Sequence, residues 1–282
     1  MRRPSPIPSL LLAAGLALAA ATPASAAEPP GAVVPAVKPA GAGFRLGATR
    51  VTPAQPPFAG KRKIRLHYRF TARRPVDLRI VVVRVRSGDV VASYLERNAE
   101  PRRRHTRIWN GLNRRGKAVR DGRYAFRIGL AGHGLRRVGS LHLRGHLFPV
   151  DGPHGTRGAV GAFHAPRNGG RIHEGFDITG ACGTPLVAAR GGTVAKAGYD
   201  PVLYGNYVLI DGAETAQDYF YAHMVEPAEV GDGDRVFTGE RVGRIGQTGN
   251  AAGTPCHLHF EVRVHGDPID PEPLLRDWDR YS

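Results

Sequence analysis

Cysteine, methionine and tryptophan are almost missing from this chain of 282 residues, which holds two of each. Two cysteines, Cys182 and Cys256, are too few for a disulfide-built scaffold, and neither sits in a Cys-x-x-Cys unit of the kind that holds zinc. Long apolar runs are also missing beyond the first 26 residues, so no later stretch can cross a membrane as a helix. Aromatic residues are not interleaved with the many cations as stacking platforms, which argues against a single-stranded nucleic-acid partner. The second half of the chain lacks any ten-residue segment of convincing helical period, which leaves β structure as its expected framework.

What is present begins with Arg2 and Arg3, an apolar run from Leu10 to Ala21, and Ala24-Ser25-Ala26. These are the three regions of a signal peptide spanning residues 1–26, so the protein is expected to be secreted or held in the cell envelope. Export brings the two cysteines into oxidising conditions, where a Cys182–Cys256 disulfide is expected. It would close a loop of about 75 residues, and chain entropy assigns such a closure roughly 4 kcal/mol. Residues 27–43, almost wholly Ala, Pro, Gly and Val, read as a flexible linker.

Charge divides the remainder. Residues 44–150 carry 26 basic side chains against five acidic ones, whereas residues 151–282 carry 11 against 18. This break in sign marks a boundary between a basic domain, 44–147, and a mildly acidic one, 148–282. In the first, Ile64, Leu66, Tyr68 and Phe70 alternate with Arg65, His67 and Arg69, and Tyr124, Phe126, Ile128 and Leu130 repeat the pattern. Leu78 to Val85 is a more continuous apolar run, broken only by Arg79 and Arg84 and suited to a strand buried on both faces. Short strands between Gly, Asp and Asn turns predict a β-sandwich. The stretch Trp109-Asn110-Gly111 followed by Asp121-Gly122-Arg123-Tyr124 resembles the Ig-like domain of flagellar hook-capping proteins, which implies a scaffold or binding module. Its positive surface is expected to hold an anionic envelope polymer, with a merely solubilising surface as the alternative.

Histidine patterning carries the chemistry of the second domain. His257-Leu258-His259-Phe260-Glu261 alternates as a strand does, so both imidazoles face one way. His173 and Asp177 lie four apart, and His223 follows Tyr221-Ala222. A catalytic zinc commonly takes three nitrogen or oxygen ligands and keeps one position open; His173, Asp177 and His259 make that set. The same set also suits Fe(II), but His223 and His257 remain over for proton transfer and oxyanion stabilisation, which favours hydrolysis. Zinc lowers the pKa of its water to about 7, making it the nucleophile. The general base is read as His257 and the oxyanion partner as His223, although the two can be exchanged. Unperturbed histidines would place the acid limb of activity near pH 6.

From His173 to Leu275 the chain resembles the lysostaphin/LytM-type zinc metallopeptidases. The resemblance rests on His173-x-Gly175-x-Asp177, Gly183-Thr184-Pro185, Tyr204-Gly205-Asn206, Tyr221-Ala222-His223, Gly233-Asp234-Arg235-Val236 and His257-Leu258-His259-Phe260-Glu261-Val262-Arg263. It implies a mainly antiparallel β metallopeptidase domain with Gly-rich hairpins, making the whole chain all-β. It also implies one Zn2+ on His173, Asp177 and His259, catalytic His223 and His257, and Asn206 beside the substrate groove. The implied reaction is hydrolysis of amide bonds in the peptide cross-links of peptidoglycan, by a chain expected to act as a monomer. Some relatives only bind wall or activate other wall hydrolases, so a silent module is the alternative. The aromatic residue that the family often has before its first ligand is replaced here by Ala165-Pro166-Arg167-Asn168-Gly169-Gly170-Arg171.

Overall fold

The computed structural model describes residues 43–281; the expected signal peptide and nearly all of the linker lie outside the described residues. Residues 45–143 supply seven strands: β1 (Arg45–Thr52), β2 (Ile64–Thr71), β3 (Val76–Arg84), β4 (Val90–Ala99), β5 (His105–Trp109), β6 (Gly122–Leu130) and β7 (Arg136–Leu143). They form two antiparallel sheets, β1-β2-β5 and β4-β3-β6-β7. The alternating residues of β2 and β6 meet between the sheets with Leu78, Ile80 and Val82 of β3, giving a sandwich with one core. Val81 and Val83 are buried as well, on the opposite face with Ala125 and Leu135, which accounts for the apolar stretch from Ile80 to Val83. Trp109 donates its Nε1–H to the Leu112 carbonyl at 2.9 Å and the Tyr124 hydroxyl donates to the Arg120 carbonyl at 2.5 Å. Thus the paired Trp and Tyr motifs close the turns around the core, the latter as a tyrosine corner.

The remaining strands are β8 (His154–Thr156), β9 (Phe176–Gly180), β10 (Pro185–Val187), β11 (Gly192–Asp200), β12 (Gly205–Gly212), β13 (Gln217–Met224), β14 (Arg235–Val236), β15 (Arg241–Arg244), β16 (His257–Val264) and β17 (Asp267–Ile269). The large sheet runs β14-β11-β12-β13-β16-β9-β8, with β17 pairing the far half of β16, while β10 pairs β15. Every one of these pairings is antiparallel. A single helix, α1 (Glu272–Asp279), lays Leu275 and Trp278 on the core. Among the described residues no helix is long and apolar enough to cross a membrane.

One face of the large sheet forms this second core. Leu258, Phe260 and Val262 of β16 point into it beside Phe176 and Ile178 of β9 and Tyr219 and Tyr221 of β13. Each buried side chain of this size contributes about 1.5 to 3 kcal/mol. A one-residue slip of β16 would expose these residues and bury His257, His259 and Glu261 in their place, so packing fixes which way the histidines face.

The two cores meet across a bonded seam. The Thr238 hydroxyl donates to the Phe58 carbonyl and accepts from the Gly191 amide at 2.8 Å, while the Thr238 amide donates to the Ala59 carbonyl at 3.2 Å. The buried Arg190 guanidinium lies over the Phe58 ring and donates to the Gly145 and Ala213 carbonyls.

Candidate active site

On the face of the sheet opposite its core, the ladder places the predicted residues together. His259 lies directly across from Asp177 of β9 and from Ala222 of β13. His173 reaches them from the loop preceding β9, where its backbone pairs with Ala165. Gly175 allows that approach: a Cβ there would stand 2.6 Å from the Phe260 carbonyl oxygen and 2.8 Å from the His259 ring.

His223 arrives by a different device. Period 2 would send it into the core after Tyr219 and Tyr221, yet the core residue that follows Tyr221 is Met224. The β12–β13 register shifts between Asn206 and Val208, leaving an extra residue on β13, and His223 adopts φ 65°. This bulge turns the imidazole to the opposite face, with its ring 5.0 Å from that of His257 and 5.8 Å from that of His259.

Three donor atoms converge. His173 Nε2 lies 2.8 Å from His259 Nδ1, and Asp177 Oδ1 lies 3.0 Å from the first and 3.2 Å from the second. The other ring nitrogens are committed: His173 Nδ1 donates to the Ala162 carbonyl, and His259 Nε2 donates to Glu261 Oε1, each at 2.8 Å. The two remaining ring nitrogens therefore face each other beside a carboxylate, an arrangement that a proton or a metal ion held between them stabilises. This N2O set fits a metal ion, and the partners on the far nitrogens fix each tautomer.

His257 and His223 are held differently. His257 Nδ1 donates to the Pro255 carbonyl at 2.8 Å and His223 Nδ1 to the Thr248 carbonyl at 2.9 Å, which makes Nε2 the acceptor nitrogen of each ring, that of His257 facing Arg157 Nη1 at 3.2 Å. Burial lowers the pKa of each; for His223 the positive charge on His259 and His257 adds to it, and the value falls to about 3. His223 is therefore neutral well below pH 6 and His257 is shifted in the same direction, so the acid limb expected from unperturbed histidines moves lower. Asp177 is opposed by burial, but hydrogen bonds from His173 and His259 hold it far below the usual carboxylate range.

The cleft over these residues has a volume of about 590 Å³. Its lining includes several groups to which sequence reasoning assigned no role. Glu261, fully buried, takes the His259 proton on one oxygen and Arg263 Nε at 2.7 Å on the other. The strand alternation already visible in the sequence extends to both residues and is the signal that finds them. Tyr204 stands at the rim, where burial, then the charges of Glu261 and Glu174, raise its pKa and keep it a donor. Arg157 Nη1 lies 3.3 Å from Asp177 Oδ2 and 3.2 Å from His257 Nε2, and Arg167 Nη2 lies 3.6 Å from the same carboxylate oxygen. Neither arginine carried a sequence signal, because residues 154–172 are rich in Gly and Arg and show no strand alternation.

Asn206 differs from its expected place. It is buried outside the cleft lining, its Nδ2 donates to the Met224 carbonyl at 3.1 Å, and its amide donates to Thr248 Oγ1 at 3.0 Å. Since Thr248 carries His223, Asn206 braces that histidine where the resemblance implied a substrate contact. Cys182 and Cys256 form a disulfide, which ties the turn after β9 to the residue preceding His257.

Residues 171–271 match peptidase family M23. This segment resembles a family M23 peptidase domain. Over 126 residues the chain is 36% identical to "Lipoprotein NlpD/LppB homolog" of Pseudomonas aeruginosa, covering 42% of this chain and 41% of that protein. "Peptidoglycan DD-endopeptidase ShyC" of Vibrio cholerae is 38% identical over 104 residues, 37% of this chain and 23% of that protein. The catalytic domain of lysostaphin from Staphylococcus simulans is a solved structure 28% identical in sequence, covering 44% of this chain and 92% of that one with a TM-score of 0.37. The chain spans between 20% and 43% of the length of the first curated relatives.

Proposed function

We propose that the chain is a zinc-dependent endopeptidase that hydrolyses amide bonds in the peptide part of bacterial peptidoglycan. The observation that carries this reading is the pairing of an N2O donor cluster with two histidines, each with Nδ1 on a backbone carbonyl and Nε2 as its acceptor nitrogen, that line the same cleft. The match to the M23 family and the printed activities of relatives such as the Vibrio cholerae endopeptidase support it.

His173, Asp177 and His259 would hold one zinc ion per chain. When bound, zinc supplies Lewis acidity toward water and toward the scissile carbonyl. Everything else falls to side chains. His257 accepts a proton from water at Nε2 and passes it to the leaving amine as the C–N bond breaks. His223 begins with the same tautomer, so its Nε2 can equally take the proton from water, and the two histidines can exchange roles. Arg263 and Glu261 keep the His259 ring in place behind it.

The zinc-loaded full chain is expected to release new free amines from purified sacculi and to stop doing so when chelated. Absence of new amines, with His259→Ala protein indistinguishable from wild type, would make it a silent wall-binding or activating module.

The basic sandwich is read as an Ig-like scaffold that holds an anionic polymer of the cell envelope, consistent with an exported, monomeric enzyme. Arg127 of β6 faces Arg137 of β7 directly across the ladder, both exposed, and like charges so placed destabilise a sheet unless an anion lies over them. Retention on purified wall should therefore weaken steeply between low and high salt; salt-independent retention would remove the polymer from this account.

A further inference from the structure

The hairpin entering the cleft from residue 164 to residue 173 has a defined geometry. His164 and His173, Ala165 and His173, and Arg167 and Arg171 are joined by backbone hydrogen bonds of 2.8, 2.9 and 2.9 Å. The tip is Asn168-Gly169-Gly170, with φ of 74° and 73° at the two glycines, a reversal that side chains with a Cβ resist. Because residues two apart on a strand share a face, Arg167 and Arg171 point the way His173 points, toward the cleft they line. Arg157, leaving the end of β8, reaches the same place.

Three permanent cations thus crowd one wall, and little there answers them. Asp177 offers only Oδ2 to Arg157 and Arg167, since Oδ1 belongs to the donor cluster. Glu261 is taken by His259 and Arg263. Glu174 also lines the cleft, where its charge acts on Tyr204 and Arg263 and no ion pair joins it to the three arginines. Among the described residues the Arg171 guanidinium has no hydrogen bond or ion pair at all, and it is exposed. Positioning of Asp177 explains part of Arg157 and Arg167; it explains nothing about Arg171. A planar fork of N–H donors matches a carboxylate better than any neutral group in a peptide.

We propose that Arg157, Arg167 and Arg171 clamp a carboxylate of the substrate, so that the peptide this cleft accepts carries a free carboxylate close to its scissile amide. The inference rests on the endopeptidase reading of the site and names its substrate class: an acidic peptide. A neutral oligoglycine bridge, or a peptide whose carboxylate is amidated, leaves the clamp unanswered. The carboxylate belongs either to an acidic side chain or to a peptide C-terminus.

Four short peptides with one common scissile amide separate these cases: a side-chain carboxylate beside it, the matching carboxamide, a nearby C-terminal carboxylate, and the matching C-terminal amide. The zinc-loaded full chain is expected to favour one acid over its amide by about tenfold or more in kcat/KM, mostly through KM. The pair that shows the ratio identifies the source. Arg171→Gln, at an exposed position that leaves the fold intact, is expected to bring the ratio to within about twofold, and Arg171→Lys to restore only part of it. Calorimetric binding of the same four peptides to the metal-free chain reads the ratio without turnover. Equal use and equal binding of acid and amide overturn the clamp while any cleavage keeps the endopeptidase reading; a binding preference without cleavage of peptides or sacculi keeps the clamp and overturns the endopeptidase.

Discussion

His257→Ala and His223→Ala proteins should each retain their metal yet lose turnover by about two to four orders of magnitude, the usual contribution of a positioned acid or base. His259→Ala should lose metal and activity together. The contrast follows from where each ring is anchored. His257 and His223 spend their Nδ1–H on the Pro255 and Thr248 carbonyls, outside the donor cluster, so truncating either leaves His173, Asp177 and His259 untouched. His259 is itself a corner of that cluster and also connects it to Glu261 and Arg263. Metal analysis beside sacculus hydrolysis distinguishes these outcomes. Metal loss from His257→Ala would place that histidine among the ligands and undo the division of roles. Since burial lowers the pKa of both His257 and His223, the acid limb of the loaded wild type should lie below the range of unperturbed histidines; a titration centred above about pH 6.5 would contradict that.

Metal uptake at pH 7.5 should release close to one proton per ion. Burial disfavours a charged His259, but hydrogen bonds to Asp177 and Glu261 outweigh it and raise its pKa to about 9 in the metal-free chain. The metal needs the Nδ1 lone pair, so below that value the proton competes, and apparent affinity should fall about tenfold for each unit of pH. Titration calorimetry in buffers of different ionisation enthalpy measures the release directly; none at pH 7.5 would mean that the ring is neutral before binding. The sign for stability follows from the same shift. The folded pKa lies above the ordinary value near 6.5, so the protonated ring stabilises the metal-free fold fully below pH 6.5 and ceases to as pH climbs through about 9. Melting of chelated protein should therefore weaken between pH 6.5 and pH 9.5, and bound metal should remove most of that dependence.

Strand alternation made the His257–His259 face readable in the sequence, because apolar residues at 258, 260 and 262 must share the opposite side. The largely apolar run from Leu78 announced a strand covered on both faces for the same reason. His223 shows the limit of periodicity. Its direction is set by one inserted residue in the ladder, and a bulge leaves no mark on hydrophobic spacing. The hairpin carrying Arg167 and Arg171 was opaque for another reason: its order comes from backbone pairing around two glycines, while its residues look like those of an irregular loop. For Asn206 the resemblance locates a residue along the chain, and only packing shows that its amide group donates to the Met224 carbonyl.

The joint around Phe58, Arg190 and Thr238 has a practical bearing on how the protein can be dissected. Arg190 is a buried cation whose partners are the Phe58 ring and the carbonyls of Gly145 and Ala213, and Thr238 is bonded to the Phe58 and Ala59 backbone. Cutting the chain at the charge boundary would strip the aromatic cover from a guanidinium and leave the Thr238 hydroxyl and amide short of partners, at about 1 to 3 kcal/mol for each orphaned group. The peptidase half is therefore not a portable cassette. Swapped onto another targeting domain, it would carry a wound where the sandwich used to be.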